Sequence, residues 1–308
     1  MKIGLPQAFI YYKHPGLWED FFRALGAAVV RSGPTTRDVL EAGVRITESE
    51  SCLPVKVYYG HCQKLLAEKI DVLFSPRYIS LKKNRLGCPK FFALADVIPY
   101  MFKTKVKICA PYINLSEKDL VATMTGIGEK LGFNEEKSWA AADLARRQEE
   151  RRRCEKQQRF ERVIHSDGPV VLLISHPYNL YDRFVNADLV RQLQGLGAVP
   201  LMIDDIPVRR HHKQDFFFHW DFAEEMLDQV DEVIDRGIAG GLQVSTFNCG
   251  CDSVLKEFVE KKFKLARRPY MPLILDEHTA EAGIRTRLEA FVDTLKAANS
   301  KTKSNLRA

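Results

Sequence analysis

The sequence contains no run of about 18 or more consecutive apolar residues, the length a membrane-spanning helix requires. It also lacks the short motifs that mark common chemistries. There is no GxxxxGK[ST] phosphate loop, no GxGxxG after a strand-like run, no GxSxG elbow and no HExxH pair. The usual signatures of P-loop nucleotidases, dinucleotide-binding dehydrogenases, serine hydrolases and zincin proteases are therefore missing. Low-complexity tracts and residue-level repeats are absent too, which argues against linkers and solenoids. The opening residues, MKIGLPQAFIYYKHPG, do not resemble a secretory leader, because the apolar run is short and leads into Lys13 and His14. A cytoplasmic protein that meets neither membrane nor nucleic acid is the resulting expectation.

What is present is ordinary in bulk and unusual in one residue type. The chain has 308 residues, 45% hydrophobic and 28% charged, with a net charge of +6. That length suits two domains of about 150 residues each. Much of the basic charge lies in 146–162, RRQEERRRCEKQQRFER, and in the tail 296–308. The first mixes Glu with Arg at helical spacing and reads as a solvated helix, since a nucleic-acid surface would also need interleaved aromatics. The tail reads as a frayed end. Seven cysteines are harder to dismiss. The count is odd, and a reducing compartment disfavours disulfides. Buried thiols explain some of them, and metal or cluster ligation the rest.

Short β-branched runs alternate with amphipathic helical segments in both halves. The fold class expected is α/β, with two doubly wound, mostly parallel-sheet domains joined by a charged helix. The expected division is 1–135, a charged linker helix over 136–166, and 167–308. In such sheets, sites form beyond the carboxyl ends of strands. Cys52 lies in a turn before a predicted helix. Cys88, followed by Pro89, lies in the long segment after the strand ending at Phe74. Cys249 lies just past the strand ending at Thr246 and before a helix. A helix start favours the thiolate, the form that binds metal, and Gly250 frees the backbone beside Cys249. The spacing matches no compact ferredoxin or zinc-finger pattern, so buried thiols remain the competing reading. Cys62 and Cys109 fit core positions, and Cys154 an exposed one. Cys251 is ambiguous, since Cys249-Gly250-Cys251 could offer two ligands. His211-His212 reads as a basic surface turn. Asp276-Glu277-His278 could orient a catalytic group or cap the next helix.

Five segments together resemble a known family. They are Glu50-Ser51-Cys52-Leu53-Pro54-Val55-Lys56; Pro76-Arg77-Tyr78 through Gly87-Cys88-Pro89-Lys90-Phe91; His176-Pro177-Tyr178-Asn179; Phe247-Asn248-Cys249-Gly250-Cys251-Asp252-Ser253; and Asp276-Glu277-His278-Thr279-Ala280-Glu281-Ala282-Gly283. In order and character they resemble the acyl-CoA dehydratase activase-related proteins of the 2-hydroxyacyl-CoA dehydratase (2-hydroxyglutaryl-CoA dehydratase subunit) family. The resemblance implies a [4Fe-4S]-type cluster held by Cys52, Cys88 and Cys249, with one iron open. It further implies low-potential electron transfer or reduction with a separate activator ATPase, and an acyl-CoA or other small substrate. The chain departs from the family pattern FGCGPDS by placing Cys251 where proline is expected, and it carries no ATPase domain. An electron-transfer or accessory protein with no substrate of its own, and a two-domain small-molecule or zinc-binding module, stand as alternatives.

Overall fold

A computed structural model of the chain describes residues 1–81, 85–208, 219–279 and 281–305. Two compact units emerge. The first comprises Met1–Arg153 with a short return segment ending at Asp221. The second runs from Cys154 onward and resumes at Phe222. The division between them falls inside a long helix.

The first unit is built on β1 (Lys2–Leu5), β2 (Ala28–Arg31), β3 (Val72–Phe74) and β5 (Lys107–Cys109), in the order β2-β1-β3-β5, every pair parallel. Parallel neighbours need crossovers. These are α1 (Leu17–Ala24), α2 (Arg37–Ile46), α3 (Leu53–Leu66) and α4 (Pro89–Phe102). A second, two-stranded parallel sheet joins β4 (Arg77–Ser80) to β6 (Tyr112–Asn114). Then come α5 (Leu120–Lys130) and the 30-residue α6 (Glu135–Ile164). Phe21, Phe22, Trp18 and Phe74 pack ring against ring at centroid separations of 4.7 to 6.3 Å, forming the aromatic centre of the core. Each such buried side chain contributes roughly 2 kcal/mol.

The second unit repeats the plan. Strands β7 (Val170–Ile174), β8 (Val199–Met202), β9 (Gly240–Thr246) and β10 (Tyr270–Leu275) order as β10-β9-β7-β8, all parallel. The run VVLLI of β7 is buried at every position, as a strand covered on both faces requires. Helices α7 (Pro177–Leu180), α8 (Leu189–Gly195), α9 (Asp221–Val233), α10 (Gly250–Leu265) and α11 (Glu281–Asn305) complete the chain. The expected α/β class with mostly parallel sheets is found.

Several local expectations need correction. The pair β4 and β6 and the 3₁₀ turn Phe9–Tyr12 had no recognised sequence signal, because three- and four-residue elements carry too little alternation to register. Cys88 consequently follows β4 and not β3 directly. The end expected to fray is helical through Asn305, and 306–308 lie outside the described residues. His211 and His212 also lie outside them. The charged helix is not polar all the way round. Ala141, Ala142 and Ala145 are buried in the first unit and Phe160 and Ile164 in the second. Some of its charges pair within the helix, Arg146 with Glu150 at 2.6 Å and Arg152 with Glu149 at 2.9 Å, and others pair outside it, Arg152 with Asp20 at 2.7 Å and Arg159 with Asp205.

Among the described residues no helix is long and apolar enough to cross a membrane. The thiols give a simple check on the fold. Cys62 is fully buried, burial pushes its pKa well up, and Cys154 is exposed. Maleimide added to the native protein is expected to label Cys154 and to reach Cys62 only after denaturation. Mass mapping that found Cys62 labelled in the native state would contradict this core.

Candidate thiol site at the helix starts

The strand orders fix where each unit opens. In the first, the chain moves outward from β1 to β2, then returns to the other side with β3 and β5. In the second, it moves from β7 to β8, then returns with β9 and β10. Crossovers on opposite sides leave a crevice at the carboxyl ends of β1 and β3 in one unit, and of β7 and β9 in the other.

Two of the three expected cysteines lie in the first unit. Cys52 is the N-cap of α3 and Cys88 the N-cap of α4, each with extended backbone and each followed at once by a proline-bearing first turn. Proline suits that position, because the first-turn N–H it removes has no intrahelical partner. The carbonyl of Cys52 accepts from the Val55 N–H at 2.9 Å and that of Cys88 from the Phe91 N–H at 2.8 Å. Neither thiol accepts a capping hydrogen bond. The two helix starts are neighbours. Lys90, in the first turn of α4, donates to the Cys52 sulfur at 3.5 Å and sets a positive charge against it.

Cys249 is the N-cap of α10 in the second unit, again without a thiol cap bond. The chain leaves β9, passes through Phe247 and Asn248, and enters the helix. Asn248 sits at φ +67°, a left-handed conformation that sharpens this turn. A Cβ on Gly250 would meet nothing within 4 Å, so the turn faces open space there. All three cysteines are thus helix caps. Two other helices carry conventional caps. Thr36 accepts from the Val39 N–H ahead of α2, and Asp119 from the Ala122 N–H ahead of α5 at 2.9 Å. Cysteine contributes little as a cap, so helix stability does not account for its use at three starts. A sulfur at the positive end of a helix suits thiolate chemistry.

Around Cys249 the second unit gathers partners that the sequence reading did not single out. His176 follows β7, the strand paired with β9, and Asp252 lies in the first turn of α10. One ligand atom from each of His176, Cys249 and Asp252 falls within 4.8 Å of the other two. His176 Nε2 lies 2.9 Å from Asp252 Oδ1, and both residues are buried. The His176 ring stacks on Tyr178 at 4.9 Å and 7°, and Phe222 meets it edge-on at 5.1 Å. Burial opposes a charge on His176, but the Asp252 carboxylate and the Cys249 sulfur outweigh it and raise the imidazole pKa to about 10. The Cys249 thiol moves the other way, to about 6. A hydrogen bond from Cys251 is the main cause, with His176 adding to it against the cost of burial. Cys251 therefore stands beside Cys249. Cys109 contrasts with it, since burial pushes that thiol up to about 11.

Asp276 closes a local turn. Its carboxylate accepts from the His278 N–H at 2.9 Å and the Thr279 hydroxyl at 2.8 Å, ahead of α11.

The crevice of the first unit holds a cavity of about 50 Å³. Its wall is aromatic, with Phe9, Trp18, Tyr58, Phe74, Tyr78 and Phe91 among the lining. The hydroxyls that face it are paired, Tyr58 with Ser75 and Tyr78 with the Trp18 N–H at 2.9 Å. Phe9 holds φ +50°, uncommon for a bulky side chain. Among the described residues no charged side chain lines this cavity. Phe91 belongs to the first turn of α4, directly after Cys88.

Fold and site together describe a two-unit parallel α/β protein that presents cysteines at helix starts. A family model described as "CoA enzyme activase uncharacterised domain" matches residues 2–206, well over half of the sequence, and the chain belongs to that family. No curated protein matches the chain. Among solved structures, the SBP FpvC from Pseudomonas aeruginosa in complex with Ni2+ is 13% identical, with 97% of each chain covered and a TM-score of 0.32. The same SBP with Mn2+ is 13% identical over 97% of this chain and 99% of that one, with a TM-score of 0.30. Likeness of that degree says nothing about what this chain binds.

Proposed function

We propose that the protein is an iron–sulfur protein of the CoA enzyme activase type, its [4Fe-4S]-type cluster held by Cys52, Cys88 and Cys249. The observation that carries this reading is that all three are helix N-caps, with the Lys90 ammonium set against the Cys52 sulfur and with His176 and Cys251 beside Cys249. The donor set fits the group. Thiolates are the ligands iron–sulfur clusters take, and the Cys249 thiol is already lowered. When bound, such a cluster supplies one-electron chemistry at low potential. The chain's own residues then have three tasks: Lys90 and the helix starts stabilise charge on the sulfurs, Cys251 and His176 surround Cys249, and the aromatic cavity receives an uncharged group. Three protein ligands leave a fourth position for a small molecule or for Cys251. The partner in this reading is a separate activator ATPase, and the substrate an acyl-CoA or similar thioester whose apolar end the cavity accepts.

The test is a set of single substitutions loaded anaerobically with iron and sulfide. Cys52→Ala, Cys88→Ala and Cys249→Ala are each expected to lose most of the bound iron and sulfide, while Cys154→Ala keeps both. Equal loading of all four variants would refute the assignment.

A second reading has one observation in its favour. His176, Cys249 and Asp252 offer nitrogen, sulfur and oxygen donors within 4.8 Å of one another, a set that also suits a single zinc ion. In that case zinc without sulfide would co-purify, and Cys52→Ala and Cys88→Ala would leave it in place.

A further inference from the structure

His176 has no role in an ordinary account of the fold. It is only 5% exposed; Nε2 pairs with Asp252 Oδ1, and Nδ1 has no hydrogen-bond partner among the described residues. The Asp252 Oδ2 atom is buried in the same condition. Leaving such groups unsatisfied costs stability, typically about 1–3 kcal/mol each. An apolar residue packed between Tyr178 and Phe222 would avoid that cost. The imidazole is nonetheless fixed from three directions. Tyr178 stacks on one face, Phe222 meets it edge-on, and Asp252 Oδ1 lies 2.9 Å from Nε2. What it is fixed towards is Cys249, whose sulfur belongs to the same cluster of atoms within 4.8 Å. The backbone brings them together at the crevice of the second unit, since His176 follows β7 and Cys249 follows the paired strand β9.

We propose that His176, held by Asp252, is the positioning residue for the Cys249 sulfur, donating an N–H to it and fixing the direction in which it is presented. This rests on the reading of Cys249 as a cluster ligand. The physical basis is general. Hydrogen bonds to a ligating sulfur withdraw charge from it, which favours the reduced state and raises the reduction potential. Asp252 does for His176 what carboxylates do for metal-ligating histidines, fixing the orientation of the ring. The sequence places Asp252 one helical turn after Cys249, so both partners of the imidazole lie on one face of α10.

The experiment measures the reduction potential of the loaded protein, by anaerobic redox titration, for wild type, His176→Ala, His176→Gln and Asp252→Asn. His176→Ala is expected to hold the cluster and to lower its reduction equilibrium about tenfold, a shift of about 59 mV to the negative for one electron. His176→Gln keeps an N–H donor and recovers part of the shift, and Asp252→Asn falls between. A residue that only fills space would leave the potential where it is, so an unchanged potential in His176→Ala overturns the proposal. If that variant does not hold the cluster, His176→Gln and Asp252→Asn decide, and wild-type potentials in both overturn it equally.

Wild-type protein that binds no iron would defeat the proposed function, and the positioning role is then read separately. In metal-free protein at one fixed pH, iodoacetamide is expected to alkylate Cys249 about tenfold more slowly in His176→Ala than in wild type. Cys154 serves as the internal reference. Unchanged relative rates would overturn the role of His176 without reference to any cluster.

Discussion

Gly60→Ala is expected to destabilise the first unit by about 3 kcal/mol or more, read as a lower urea midpoint with an unchanged slope. Helices α2 and α3 cross so closely that their backbones touch. A Cβ on Gly60 would stand 1.9 Å from the Val39 carbonyl oxygen, and one on Gly43 would stand 1.8 Å from the Lys56 carbonyl oxygen. Both obstacles are backbone, so no side-chain rotation relieves them. The helices must separate, and separation uncovers Val39, which is buried and whose Cγ1 would lie 3.1 Å from the added Cβ. Moving α3 also moves its cap, Cys52. The same variant is therefore expected to bind less iron and sulfide than wild type even where it remains folded. Gly132→Ala is the contrasting control for steric crowding. A Cβ there meets nothing within 4 Å, and only its φ of +94° is unfavourable. Stability within about 1 kcal/mol of wild type for Gly60→Ala would mean the two helices are not in backbone contact.

The second large effect comes from acid. His61, in the middle of α3, is fully buried, and its Nε2 lies 2.8 Å from the Thr35 hydroxyl. Burial, with a smaller contribution from the charge of Lys64, lowers its pKa from 6.5 to about 3. The unfolded chain therefore takes up a proton near pH 6.5, whereas the folded chain resists until about pH 3. Between those values protonation favours the unfolded state, so stability is full above the upper limit and lost as pH falls. By linkage the loss is about 2 kcal/mol at pH 5 and about 4–5 kcal/mol near pH 3. His61→Gln keeps a nitrogen towards Thr35 but cannot take up that proton. Its urea midpoint is expected to fall less steeply than wild type between pH 6.5 and 4. Parallel declines in the two proteins would show that His61 is not buried as described.

Much of this architecture could be read from the residues, because long elements announce themselves. The buried run of β7, the periodic helices and the glycine stops set two parallel α/β sheets. The placement of Cys52 and Cys249 before helices followed from Pro54 and from the strand-to-helix change around Gly250. What escaped was whatever depends on contacts across sequence. The pair β4 and β6 is too short to show alternation, and nothing local says that 77–80 will lie beside 112–114. His176 was visible only as part of the segment His176-Pro177-Tyr178-Asn179. Its meeting with Cys249 depends on β7 lying next to β9, which is fixed by strand order and not by spacing. Asp252 had a weaker signal, one turn after Cys249 on the same helix. The Gly43–Gly60 contact was hidden for the same reason, since each glycine by itself looks like a weak point in a helix.

The central claim is that the three cysteine-capped helix starts hold one iron–sulfur cluster. The most direct measurement is an anaerobic purification and reconstitution of the wild-type chain with iron and sulfide counts and a visible spectrum. About four irons and four sulfides per chain are expected, with a broad brown charge-transfer absorption that bleaches in air. A colourless protein that retains neither iron nor sulfide after reconstitution would contradict it.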